Sequence, residues 1–191
     1  NDAQEIRPGT SIFVQDDKIS ALLPPGDRLP EADTVLQASG FVAVPGFVNA
    51  HTHAAMTLLR GYADDMELFR WLQEKIWPVE ARLRVEDVYW GTSLAAIEML
   101  RGGVTCFNDM YFFFAEAARA CQEVGIRASI AGVLLGILPT ADHDLEKAVA
   151  FAAERNETGP SRIVHTLAPH APYTCPDAML EKAVAAALEH K

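Results

Sequence analysis

Cysteine is scarce in this chain: Cys106, Cys121 and Cys175 are the three among 191 residues, and no two form a C-x-x-C pair. An odd number at wide spacing argues against a disulfide framework, a zinc knuckle or a redox pair, and it fits a reducing cytoplasm. Basic residues are also few, 16 against 26 acidic ones for a net charge of −10, and they form no cluster. Such a chain repels a phosphate backbone, so nucleic-acid polymers are not expected as partners. Long apolar runs are missing too. The longest, such as residues 128–138, fall far short of the roughly 20 residues that a membrane-spanning helix needs, and no basic segment of a signal peptide opens the chain. A soluble, untargeted protein with no membrane partner is expected. Internal repeats, low-complexity tracts and long linkers are absent.

What is present is enough apolar material for a core: 50% of residues are hydrophobic and 22% charged, the range of ordinary globular chains. Residues 1–45 alternate apolar and polar positions in short pieces (11–15, 18–22, 34–36 and 41–44), broken by Pro24-Pro25-Gly26-Asp27 and Ser39-Gly40. That pattern predicts small β-structure, part of a composite β-sandwich domain. From Val42 onward the pattern becomes strand then helix, four times over, with the domain boundary expected at 45/46. Strands are expected at 41–49, 104–108, 126–135 and 163–168, and helices at 66–100, 115–124, 142–155 and 176–190. Gly125 stands where a helix C′ residue belongs, and Thr174 with Asp177 three residues on reads as a capping box, with Pro176 in the first turn.

Strand-helix units with near-continuous apolar strands imply a parallel α/β sheet covered by helices, either doubly wound or a (β/α)8 TIM barrel. A barrel needs eight units and roughly 250 residues. Four units, ending in or just after a helix, lead to the expectation that residues 46–191 are the first half of a barrel whose C-terminal half lies elsewhere. Asn1 in place of a methionine suggests that the front is trimmed as well.

The sharpest motif is Pro45-Gly46-Phe47-Val48-Asn49-Ala50-His51-Thr52-His53. Alternate residues of a strand point the same way, so His51 and His53 leave one face together and can share a metal ion, while Thr52 points elsewhere. A bare His-x-His is more often a pair of ordinary polar residues. Here the Pro-Gly entry, the apolar strand and the placement at a strand's carboxyl end, where parallel α/β folds bind ligands, favour the metal. Imidazole suits one divalent transition metal, zinc first, with iron or nickel also accommodated.

Beyond that motif the chain resembles the amidohydrolase superfamily, and within it the deaminases of 5′-methylthioadenosine and S-adenosylhomocysteine. The likeness runs from Pro45 through Ala54-Ala55-Met56-Thr57-Leu58-Leu59-Arg60-Gly61, then Trp71-Leu72, Trp77-Pro78-Val79-Glu80, Gly103-Val104-Thr105-Cys106-Phe107-Asn108-Asp109-Met110-Tyr111 and Pro169-His170-Ala171-Pro172-Tyr173-Thr174. It implies a small β-sandwich on a metal-bearing barrel, with His51 and His53 as metal ligands. It also implies that Glu80 holds the two ribose hydroxyls, that His170 binds substrate near the purine and that Trp71 lines the pocket. Without the resemblance, Glu80 reads as a solvated helix charge; His170 reads equally as a substrate ligand or as a turn residue between Pro169 and Pro172, and Trp71 equally as a pocket wall or as core. Phe69, Leu72, Ile76, Val79 and Leu83 fall at helical spacing and read as core, with Pro78 expected to interrupt any single helix.

The implied reaction is hydrolytic deamination of an adenosine-type nucleoside, in which water activated by the metal attacks C6 of adenine. The superfamily's acid/base glutamate and remaining metal ligands follow later strands, so the catalytic residues are expected beyond Lys191 and this segment alone is expected to be inactive. Family members that take S-adenosylhomocysteine place arginines after the third strand. The corresponding stretch here, Ala131-Gly132-Val133-Leu134-Leu135-Gly136-Ile137-Leu138-Pro139, has none, which favours methylthioadenosine or adenosine. Two other readings stay open: a sister amidohydrolase acting on guanine, cytosine or a chlorotriazine, and a non-catalytic amidohydrolase-like scaffold. A homo-oligomer is also an expectation for the complete protein.

Overall fold

The computed structural model describes residues 5–156 and 161–190, and the chain divides into two compact units at Val44/Pro45. In the first unit, β1 (Ser11–Gln15) and β2 (Lys18–Leu23) form an antiparallel hairpin, paired from Ser11↔Leu23 to Gln15↔Lys18 with an irregularity at Phe13/Val14. Asp16, in the turn, has φ 56°, a left-handed conformation that aspartate tolerates because its short side chain can bond locally. The strands expected at 34–36 and 41–44 do not form. Val35, Leu36, Phe41 and Val42 alternate with nothing useful, being 66–85% exposed, and a strand without a neighbour to take its backbone hydrogen bonds is not a strand.

The second unit is a four-stranded parallel sheet in the order β3 (Phe47–Thr52), β4 (Val104–Tyr111), β5 (Arg127–Leu134), β6 (Ile163–Pro169). Each strand pairs with the next in sequence, the order of a barrel wall; a doubly wound sheet would reverse direction part-way. The first strand starts at Phe47 rather than at residue 41 because Pro45 has no N–H to give a ladder. Helices α3 (Val85–Arg101), α4 (Phe114–Val124) and α5 (Ala141–Asn156) connect the strands, and α6 (Asp177–Glu189) follows the last.

One core joins Val88, Ala95 and Ala96 of α3 to Phe107 of β4, Ala117 and Cys121 of α4 and Ile130 of β5. A second joins Leu134 to Leu145, Ala148, Met179 and Ala183. Small residues on α4 let it lie close on the strands. Gly125 ends α4 at φ 86°, in the left-handed conformation expected of it.

Two helical expectations are corrected. The helical stretch 66–100 is interrupted, but at residues 81–84 and not at Pro78: a composite segment precedes the break and α3 follows it. Within that segment, α1 (Leu68–Trp71) runs into a π-helical turn (Leu72–Ile76) and then α2 (Trp77–Glu80). Pro78 is thus accommodated without stopping the run: it occupies the opening turn of α2, where its missing N–H has no obligatory partner. Of the five apolar residues assigned to the core there, Ile76 is buried while Phe69 is 48% exposed. The capping box at Thr174 also fails. The residue before α6 is Pro176, with no side-chain cap, and the Thr174 hydroxyl is engaged by His170 and the Ala171 carbonyl instead.

The 3₁₀ turn after β3 (Ala54–Leu59) packs on α3 at Gly91. A Cβ there would lie 2.6 Å from the Ala55 carbonyl oxygen and 2.9 Å from its Cα, both backbone atoms. Gly91→Ala should therefore destabilise the protein by about 1–3 kcal/mol, the usual range for overpacking, as read by urea unfolding of the full-length protein. An unchanged midpoint would show that the turn yields.

Candidate metal and substrate site

The carboxyl ends of the strands gather the chemistry. His51 is the next-to-last residue of β3, and His53 follows the strand directly. Their rings meet edge-on with centroids 5.0 Å apart, while the Thr52 hydroxyl turns to the neighbouring strand and bonds the Asn108 carbonyl (2.9 Å) and Asp109 Oδ1 (2.7 Å). His53 Nδ1 lies 2.6 Å from the Met110 carbonyl oxygen. A carbonyl only accepts, so Nδ1 is the donor in this contact and Nε2 is the nitrogen left to face a ligand.

Three further groups surround His53. The His170 ring stacks on it at 5.7 Å, the Tyr111 ring lies 6.0 Å away, and Tyr173 meets His170 edge-on at 5.9 Å. His170 Nδ1 pairs with Thr174 Oγ1 at 2.9 Å. Burial, with the neighbouring His53 and His51, holds the His170 imidazole below its ordinary pKa and so in its neutral form. Glu80, the last residue of α2, accepts a 2.8 Å hydrogen bond from the Tyr111 hydroxyl. Its pKa is raised by burial against the opposing pull of that bond and of His53. Tyr111 is 4% exposed, and burial beside Glu80 raises its phenol pKa, so it remains a donor at any working pH.

Four of the five expected site residues, His51, His53, His170 and Glu80, thus belong to one connected cluster. Trp71 does not join it. Its Nε1 donates to the Ala63 carbonyl at 3.1 Å, which ties it into its own loop, and the side chain from this segment that reaches the cluster is Phe69, edge-on to Tyr173 at 5.9 Å. Asp109 was not singled out from sequence: it is 1% exposed, and its Oδ1 also accepts the Ala54 N–H at 2.6 Å, so it grips the residues on both sides of His53. A carboxylate in the midst of an apolar strand is the signal that could have marked it. Among the described residues no group of three or more His, Cys, Asp or Glu side chains is arranged to hold a metal ion. No helix among them is long and apolar enough to cross a membrane.

Residues 42–191 match the amidohydrolase family. The chain belongs to that family. Among its relatives in the amidohydrolase family, a protein from Desulforamulus reducens named 5-methylthioadenosine/S-adenosylhomocysteine deaminase is 49% identical over 182 residues, covering 94% of this chain and 42% of that protein. One from Methanospirillum hungatei, named 5′-deoxyadenosine deaminase, is 54% identical over 156 residues, 79% of this chain and 34% of that protein. The crystal structure of an adenosine deaminase from Xanthomonas campestris with bound zinc superposes with a TM-score of 0.74 at 38% identity, covering 90% of this chain and 40% of that one. The chain spans less than half the length of these relatives. Its four βα units are the N-terminal portion of an amidohydrolase barrel.

Proposed function

We propose that the full-length protein is a metal-dependent hydrolytic deaminase that converts an adenosine-type nucleoside to its inosine analogue and ammonia. The observation that carries this reading is the convergence of His51 and His53 at the end of β3, with Glu80 and His170 in the same cluster. The two imidazoles fit a divalent cation, zinc above all. Metal–nitrogen bonds of about 2.0–2.1 Å at a tetrahedral angle set two ring centroids roughly 5 Å apart, close to the 5.0 Å observed. The His53 Nδ1 contact with the Met110 carbonyl is the kind of outer bond that orients a metal-ligating histidine. The cation would supply Lewis-acid activation of water for attack on C6 of the purine.

The other residues bind and orient. Glu80 offers a carboxylate oxygen to the ribose hydroxyls, neutral His170 faces the purine, and Tyr173 with Phe69 gives an aromatic wall beside it. Trp71 braces the segment that carries Phe69. Acid/base catalysis falls to residues outside this segment. The three free cysteines accord with a cytoplasmic setting.

The end of β5 and the turn that follows it decide among nucleosides. Residues 131–139 include no arginine to meet the amino-acid carboxylate of S-adenosylhomocysteine, and Ile137 and Leu138 are 57% and 42% exposed there. We expect full-length, metal-loaded protein to release ammonia from 5′-methylthioadenosine or adenosine with a kcat/KM roughly tenfold or more above that for S-adenosylhomocysteine, the worth of one charged contact. A preference for S-adenosylhomocysteine would refute the ranking. Absence of ammonia from all three, in protein that holds its metal, would refute the deaminase.

A further inference from the structure

Glu80 and Tyr111 come from elements 31 residues apart, and they meet at the edge of the histidine cluster. The phenol donates to Oε1, and among the described residues no other side chain bonds the carboxylate and no cation pairs with it. Tyr111, the last residue of β4, has little freedom: its ring is buried in the core and contacts Phe112 and His53. A fixed donor on one oxygen leaves the other as the acceptor of a half-buried carboxylate. A carboxylate so held loses less side-chain entropy when a ligand binds than a free one would.

We infer that Tyr111 is a positioning residue that locks one oxygen of Glu80 and presents the other to the vicinal 2′,3′-diol of the nucleoside, making the intact diol a requirement of the site. This rests on the ribose-binding reading of Glu80. Tyr111 touches no substrate atom in this arrangement; it acts through Glu80. Removal of its hydroxyl would leave the ring packed as before but free the carboxylate to turn, and would strip a hydrogen bond from a buried charge. The effect should fall on diol recognition and on KM, because the bond is present in the free enzyme and in the substrate complex alike.

The test uses full-length, metal-loaded protein and two substrates, adenosine and 2′,3′-dideoxyadenosine, with the ratio of their kcat/KM values as the readout. Tyr111→Phe should lower that ratio about tenfold through KM for adenosine, with kcat for both substrates unchanged, a shift of the size expected for one hydrogen bond to a charged group. Glu80→Gln should lower it at least as far, and in the Glu80→Gln background Tyr111→Phe should add nothing further. A ratio that falls with Glu80→Gln but stays constant with Tyr111→Phe overturns the inference and leaves the Glu80 reading intact. A ratio unmoved by Glu80→Gln overturns the Glu80 reading itself. An equal loss of kcat on both substrates with Tyr111→Phe would mark a general structural role and also overturn it. If that variant does not fold, a crystal structure of the wild-type protein with bound adenosine decides. Tyr111 on one Glu80 oxygen with the ribose hydroxyls on the other supports the inference, and ribose hydroxyls bonded without Glu80, or a released Tyr111, refutes it.

Discussion

Replacement of His53 by alanine in the full-length protein is expected to cut kcat/KM for the preferred nucleoside by about 10³-fold or more, the equivalent of roughly 4 kcal/mol in the transition state. The same variant should lose bound metal on dialysis. His53 is tied at both ends. Its Nδ1 is committed to Met110, its backbone is flanked by Thr52 and Ala54, and these are both held by Asp109. The ring therefore has one free nitrogen to offer, in one direction, and alanine offers none. Metal content per subunit together with the rate of ammonia release reads this out. A variant that retained both would remove His53 from the proposed site.

The second large effect is expected at Asp109. Asp109→Ala leaves the buried Ala54 N–H without its acceptor, whereas the Thr52 hydroxyl keeps the Asn108 carbonyl as an alternative. One unsatisfied buried donor plus a small cavity corresponds to a loss of about 2–4 kcal/mol in unfolding free energy. Because the residues released are those beside His53, metal affinity should fall roughly 10–100-fold as well, the usual cost of losing an outer partner. Asp109→Asn keeps an acceptor at Oδ1 and should cost much less on both counts. The aspartate is not an unmixed benefit. Burial raises its pKa above the ordinary value, the Ala54 and Thr52 hydrogen bonds pulling the other way. A carboxyl with a raised folded-state pKa binds its proton more tightly folded than unfolded, so this group's contribution to stability declines as pH rises from its ordinary value through the folded one. Asp109→Asn should flatten that part of the stability profile. Urea unfolding across pH, with zinc competition at pH 7, measures both; equal stability of the aspartate and alanine forms would contradict the brace.

Much of the fold lay open in the sequence because it is written in local patterns. The hairpin strands, β4, β5 and β6, and helices α4, α5 and α6 fall within about three residues of where periodicity and punctuation place them. The errors share a cause: each needed a partner that the local pattern does not name. Residues 34–36 and 41–44 alternate like strands but have no ladder to join. Pro78 looks like a helix break until a π-helical turn takes up the change. Thr174 looks like a cap until His170, four residues back, claims its hydroxyl.

The site shows the same division. His51 lies at the end of β3 and His53 directly after it, so the meeting of their rings follows from the two-residue period of an extended chain. Glu80 and His170 were reached through resemblance, since nothing local distinguishes them from a surface charge and a turn residue. Tyr111 and Asp109 lie inside a stretch that carries the resemblance, yet their tasks emerge only when β4 is laid beside β3, with Asp109 paired to Thr52.

The deciding question is whether His51 and His53 grasp the same ion. Crystals of the full-length protein grown with zinc and measured on both sides of the zinc absorption edge give a direct answer. The expected anomalous peak lies about 2.1 Å from a ring nitrogen of each histidine. A peak bound to one of them alone, or a zinc held elsewhere while the two rings keep their present arrangement, would contradict it.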